Sequence, residues 1–195
     1  NFLVVLSSKD FVSPPELIAL TAAFYGGSID LDPASSEYAN QVVQAERYFN
    51  WQNNGLIQTW KAKNIYLYPP RAVALKHEQP KPTKLFTKNT QFKKSNQRIW
   101  LEQAYRKWLH KEFEQGILFI TSAEVAFIST QRINFDFPLC ILKDKPKLLI
   151  DDETLKPLKN CRVFGFIYYL PPVTQYESSV NKFREMYSSL GRVYT

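Results

Sequence analysis

"NIYLYPPRAV", from Asn64 to Val73, reads as a short apolar strand that runs into two prolines and then into basic sequence. Proline has no N–H to give a sheet and restrains the residue before it, so Tyr68-Pro69-Pro70 marks a strand end. A second strand end stands upstream, in "SIDLDPAS" (Ser28–Ser35), where a short run closes on Asp30, Asp32 and Pro33. Helical patterns surround both. In "VSPPELIALTAAFYG", Ser13 reads as an N-cap, Pro14 and Pro15 as the opening turn, and Glu16 as the acid three residues after the cap. Leu17, Leu20, Thr21 and Phe24 share a face there, and Gly26-Gly27 stops the helix. "SSEYANQVVQAERYF" predicts a second helix, followed by a polar turn at Asn54-Gly55. "RIWLEQAYRKWLHKEFEQG" predicts an amphipathic third, with Ile99, Trp100, Tyr105, Trp108, Leu109 and Phe113 inward and Gly116 at its end. "ILFITS", "RINFDFPLCILK" and "CRVFGFIYYLP" read as strands, "EVAFISTQ" as a short helix and "SVNKFREMYSSLG" as a last helix ending at Gly191. Strands alternating with helices predict an α/β fold: a mostly parallel twisted sheet with helices on both faces.

The 195 residues suit one domain, 1–195, large enough to bury a core without staples. With 45% apolar and 22% charged residues the composition is that of a globular protein. No apolar run reaches the roughly 20 residues of a membrane span, and the opening "NFLVVLSS" lacks the basic flank of a secretory signal. The absence of an initiator Met is read as a piece of a longer chain. Two cysteines, Cys140 and Cys161, in apolar settings suggest free buried thiols and a reducing compartment, and two histidines with no C-x-x-C argue against a structural zinc site.

The net charge of +7 is unevenly spread: residues 1–60 carry 2 basic and 6 acidic side chains, residues 61–115 carry 13 and 4. The excess follows the Pro-Pro turn, in a Lys-rich loop or insertion at about 76–98. A focused basic block attracts a polyanion better than scattered charge does. Lys81, Lys84, Lys88, Lys93, Lys94 and Arg98 are its candidate nucleic-acid contacts, a solvated lysine loop being the other reading.

Ligands of such sheets sit beyond the C-terminal ends of strands, and "DLDPAS" and "YLYPPR" are the two ends that stand out. Taken in order, "F-x-S-P-P-x-L-I", "S-I-D-L-D-P-A-S", "N-G-L-I-x-x-W", "I-Y-L-Y-P-P" and "R-I-N-F" make the chain resemble the phage-type DNA adenine-N6 methyltransferases. Phe11, Ser13 and Pro14 stand where that family has Trp, Thr and Pro. Asp30, Asp32, Pro33 and Ala34 match its Asp-x-Asp strand end with the small residues after it, Asn54, Gly55, Leu56 and Trp60 its Asp-Gly-Leu…Trp turn, and Arg132, Ile133 and Phe135 a later Arg-Ile-x-Phe.

The resemblance implies a Rossmann-like, S-adenosylmethionine-dependent methyltransferase fold, cytoplasmic and of bacterial or phage origin, acting on double-stranded DNA with no membrane. Ser13, Pro14, Asp30, Asp32, Pro33 and Ala34 would line the cofactor. Tyr68, Pro69, Pro70 and Arg71 fall on the family's catalytic Asn/Asp-Pro-Pro-Tyr. In that motif the amide or acid and the proline carbonyl accept hydrogen bonds from the exocyclic amine of a flipped base, and the aromatic ring stacks on the base. Here Tyr68 replaces the first group and Arg71 the last, so weak or lost catalysis is expected. The second Pro-Pro, at Tyr168 to Val173, also lacks an acid or amide before it. The alternative expectation is an inactive module, a pseudoenzyme, for DNA binding or assembly with a protein partner. Trp51 and Trp60, near the Asn-Gly turn, are open to core or site roles.

Overall fold

The computed structural model describes residues 10–70, 96–129 and 136–195. Seven strands form one sheet in the order β3-β2-β4-β5-β8-β6-β9: β2 (Leu31–Asp32), β3 (Arg47–Tyr48), β4 (Ala62–Leu67), β5 (Phe113–Ile120), β6 (Leu139–Leu142), β8 (Phe166–Leu170) and β9 (Gly191–Tyr194). A separate antiparallel pair joins β1 (Phe11–Val12) to β7 (Leu149–Ile150), with Phe11 opposite Ile150.

The α/β class holds, but the sheet is mixed rather than mostly parallel. β3, β2, β4 and β5 run parallel, whereas β8 is antiparallel to both β5 and β6, and β9 is antiparallel to β6. The connections explain it. Parallel neighbours need a crossover, usually a helix; β2 reaches β3 through α2 (Glu37–Val43), and α3 (Asn96–Leu109) precedes β5. Between β6 and β8 the chain carries β7 and no helix, so it returns in the opposite direction.

Period-two alternation splits the core across the sheet. Ile65 and Leu67 of β4, Leu118 and Ile120 of β5, and Phe166, Tyr168 and Leu170 of β8 pack with Trp60 and with Ile99, Trp100 and Leu101 of α3. On the other face Tyr66, Tyr68, Ile117, Phe119, Ile167 and Tyr169 meet α1 (Pro15–Tyr25) and α4 (Tyr176–Tyr187) through Leu17, Phe24, Phe183 and Tyr187. Every side chain of β8 is buried because both faces are covered, as its unbroken apolar sequence requires.

Several boundaries differ from the sequence reading. Pro14, not Ser13, is the N-cap of α1, and no side chain caps it. The second helix stops at Val43: Gln44 is left-handed (φ 53°), and the Asn40 amide bonds the N–H and carbonyl of Ala45, freeing Arg47 and Tyr48 to pair with β2. The third helix ends at Leu109, which is exposed, and Lys111 turns at φ 56°. Phe113 and Gly116 therefore lie in β5 rather than in the helix. Gly116 is required by packing, since a Cβ there would lie 2.8 Å from Ile65 Cγ1. Residues Val125–Ser129 form a π-helical turn, and Gly191 opens β9 rather than closing a helix. Arg71, the lysines at 81, 84, 88, 93 and 94, and Arg132, Ile133 and Phe135 lie outside the described residues; Arg98, placed in the Lys-rich loop by sequence, is in α3.

Candidate functional site

β2 is hydrogen-bonded to β3 on one side and to β4 on the other, all parallel, so the chain order reverses there. A crevice beyond the C-terminal ends of two strands that diverge in this way is the usual ligand position of an α/β sheet. A cavity of about 300 Å³ lies at this place, at the small end of the range for ligand sites.

Its walls come from segments far apart in sequence. Asp32 ends β2 and Pro33 and Ala34 follow it, and Tyr66, Tyr68 and Pro70 come from the end of β4. Asn54, Gly55 and Leu56 contribute the Asn-Gly turn, Trp100 belongs to α3, and Val12 and Ser13 precede α1. The β1–β7 pair adds Asp10, Phe11 and Asp151.

Asp32 is 3% exposed, and its Oδ1 accepts the Ala34 N–H at 3.1 Å. Burial pushes its carboxyl up to about 7, against the opposing pull of the Ala34 N–H, and the charge of Asp151 pushes it the same way as burial. Asp151 is raised as well, mainly by burial; its Oδ1 accepts a 2.5 Å hydrogen bond from Ser36 Oγ. Ser36 also caps α2, accepting the Ala39 N–H at 2.9 Å. The N-terminus of α2, the end of β2 and the β1–β7 pair are thereby tied into one wall. Among the described residues no group of three or more His, Cys, Asp or Glu is placed to hold a metal ion.

Four of the six residues expected at a cofactor converge: Ser13, Asp32, Pro33 and Ala34 all line the cavity. Ser13 is buried and its Oγ accepts the Tyr66 hydroxyl at 2.5 Å, so it bridges β4 and the entry to α1 instead of capping the helix. Pro14 and Asp30 are not in the lining. The Pro14 carbonyl accepts the N–H groups of Leu17 and Ile18. Asp30 Oδ2 accepts those of Lys63 and Asn64, at 2.9 and 3.0 Å, and fastens β2 to the start of β4.

Of the four expected catalytic positions, Tyr68 and Pro70 line the cavity, Pro69 is buried outside it and Arg71 lies outside the described residues. Tyr68 is 7% exposed, with its ring centroid 4.9 Å from that of Phe119. Alternation along β4 places residue 68 on the α1–α4 face, and a large aromatic ring there packs into the core. Arg98 pairs with Glu102 on its own helix at 2.9 Å and does not reach the cavity.

Sequence reading missed Asp10, Tyr66 and Asp151; of the two tryptophans it left open, Trp51 lines the cavity and Trp60 is buried in the core. Asp10 and Asp151 meet through the β1–β7 pair, whose register joins positions some 140 residues apart; no local signal carries that.

Compared with models of protein families, with curated proteins and with solved structures, the chain has no match. No helix among the described residues is long and apolar enough to cross a membrane.

Proposed function

We propose that the chain is an S-adenosylmethionine-binding domain of the DNA adenine-N6 methyltransferase type, with weak or lost methyl transfer. The observation that carries this reading is the meeting of Ser13, of Asp32-Pro33-Ala34, of Asn54-Gly55-Leu56 and of Tyr66, Tyr68 and Pro70 around one cavity at the strand-order reversal. These residues belong to four of the five motifs on which the resemblance rests; the fifth, with Arg132, Ile133 and Phe135, lies outside the described residues.

The lining suits an adenosine-type cofactor. Asp32 offers a buried carboxylate to hydroxyl or ammonium groups, Asp10 and Asp151 add negative charge, and Phe11, Trp51 and Trp100 supply apolar and aromatic surface. Described basic side chains are absent from the lining, which favours a cationic ligand over a phosphate. When bound, the cofactor would supply an electrophilic methyl on sulfur.

The chain's own contribution to transfer is reduced. The Tyr68 side chain packs on Phe119, and a phenol places its oxygen several ångströms farther from the backbone than an Asn or Asp would. Loss of one acceptor from a two-acceptor clamp on the amine removes about 2–4 kcal/mol of transition-state stabilisation. The same packing favours the second reading, an inactive module that binds double-stranded DNA through its Lys-rich segment or assembles with a protein partner.

Titration calorimetry with S-adenosylmethionine tests the first part: saturable heat together with a raised unfolding temperature is expected, and neither appearing refutes it. Methyl transfer to DNA, compared between the wild type and Tyr68→Asn, tests the second. A gain of activity in the variant identifies a decayed active site, and full activity in the wild type contradicts the assigned loss.

A further inference from the structure

Of the chain's four tryptophans, Trp60 and Trp100 are buried and Trp108 is half-buried, whereas Trp51 is 84% exposed and lines the cavity. Trp51 alone of the four combines an open ring with a place in the cavity lining, where its indole offers a large amphipathic face to a ligand.

The turn is held in place. Asn50 Oδ1 accepts the N–H groups of Gln52 and Asn53 at 3.0 and 3.2 Å, and the Asn50 carbonyl accepts those of Asn53 and Asn54. At its start Phe49 donates to the Asp32 carbonyl at 3.0 Å and accepts from the Ser35 N–H at 2.8 Å. At its far end Gly55 lies against the Pro33 carbonyl, and its own carbonyl accepts the Trp60 indole N–H at 2.7 Å. The backbone carrying Trp51 is thus anchored to the same residues, Asp32 to Ser35, that form the cavity wall.

We infer that Trp51 is the stacking platform for the adenine ring of the bound ligand, which lies with its ring at the mouth and its polar tail toward Asp32. This rests on the reading of the cavity as an adenosine-type cofactor site. A flat heteroaromatic ring gains dispersion and quadrupole attraction on an indole face, and a platform whose backbone is already ordered spares the ligand much of the cost of immobilising it.

The test uses the whole chain, titrated with S-adenosylmethionine and separately with adenosine, while acrylamide quenching of tryptophan emission is followed. Each ligand is expected to shield the exposed indole and shift emission to shorter wavelength. Trp51→Ala is expected to weaken both ligands by on the order of tenfold with the ligand-free unfolding temperature unchanged, and Trp51→Phe to restore most of the affinity. If Trp51→Ala binds both ligands as the wild type does, the platform is overturned and the cofactor reading survives. If adenosine binds and shields Trp51 but S-adenosylmethionine does not bind, the platform stands and the methyl-donor reading falls. A wild type that binds neither overturns both.

Discussion

Gly55 and Pro33 touch so closely that a Cβ built on Gly55 would lie 1.9 Å from the Pro33 carbonyl oxygen. Two motifs recognised separately in the sequence, Asn-Gly-Leu and Asp-Pro-Ala, are thus one packed unit that forms part of the cavity wall. Gly55→Ala must push the turn off the strand end, since neither atom belongs to a side chain that can swing aside. A loss of about 2–4 kcal/mol in urea denaturation is expected, with weakened ligand binding in the same variant. An unchanged midpoint would mean that the turn is not seated on Pro33.

The Ser13–Tyr66 hydrogen bond gives a second expectation. Both groups are buried, so Tyr66→Phe or Ser13→Ala alone leaves an unsatisfied hydroxyl and should cost about 1–3 kcal/mol. In the double variant both hydroxyls are gone, and its loss should be clearly smaller than the sum of the two. Strict additivity of the four unfolding free energies would count against the contact.

Asp32 makes stability pH-dependent in a defined direction. Its carboxyl titrates near 7 in the folded chain and near the ordinary 3.8 when unfolded, so between these values the folded state holds the extra proton. Stability from this group is therefore greatest at low pH and declines as pH rises from about 4 to about 7, by at most about 4 kcal/mol. Asp32→Asn keeps an acceptor for the Ala34 N–H and removes the titration; it should be more stable than the wild type at pH 8, with the difference vanishing toward pH 4. Thermal unfolding across that range reads it. A cationic ligand favours the ionised carboxylate, so its affinity should rise with pH through about 7 in the wild type and stay level in the variant.

The Lys-rich segment carries the prediction about DNA. Reversing the charge of Lys81, Lys84, Lys88, Lys93 and Lys94 should weaken binding to double-stranded DNA and flatten its salt dependence, by about 0.9 in log–log slope for each phosphate contact removed. The change should be the same for unrelated DNA sequences, because phosphate contacts carry no base information. Unaltered affinity and slope would remove the segment from any nucleic-acid interface.

Short-range signals in the chain marked several of the segment ends that meet at the site. Pro-Pro after "NIYLY", Asp-Pro after "SIDL" and Pro-Pro before "ELIAL" mark strand and helix ends through restraints that act within one or two residues. The alternation of strand and helix patterns pointed to a sheet covered on both faces, and β4 and β8 lie in such a sheet. What those signals lack is direction and partner. "FIYYL" reads the same whether it runs with β5 or against it; the helix-free return from β6 decides for antiparallel. Phe113 fits the apolar spacing of α3, yet the left-handed turn at Lys111 and pairing with Ala62 place it in β5. Asp10 and Asp151 reach the cavity through a pairing that spans most of the chain, and Asp30 and Asp32, two residues apart, part company because one fastens the backbone and the other faces the cavity. The sequence by itself determined which segments could end at a site. Only the tertiary structure decided that Asp32 is buried near a second carboxylate, that Tyr68 packs into the core and that Trp51 stays exposed, because burial and charge proximity are set by segments that meet only in the folded chain.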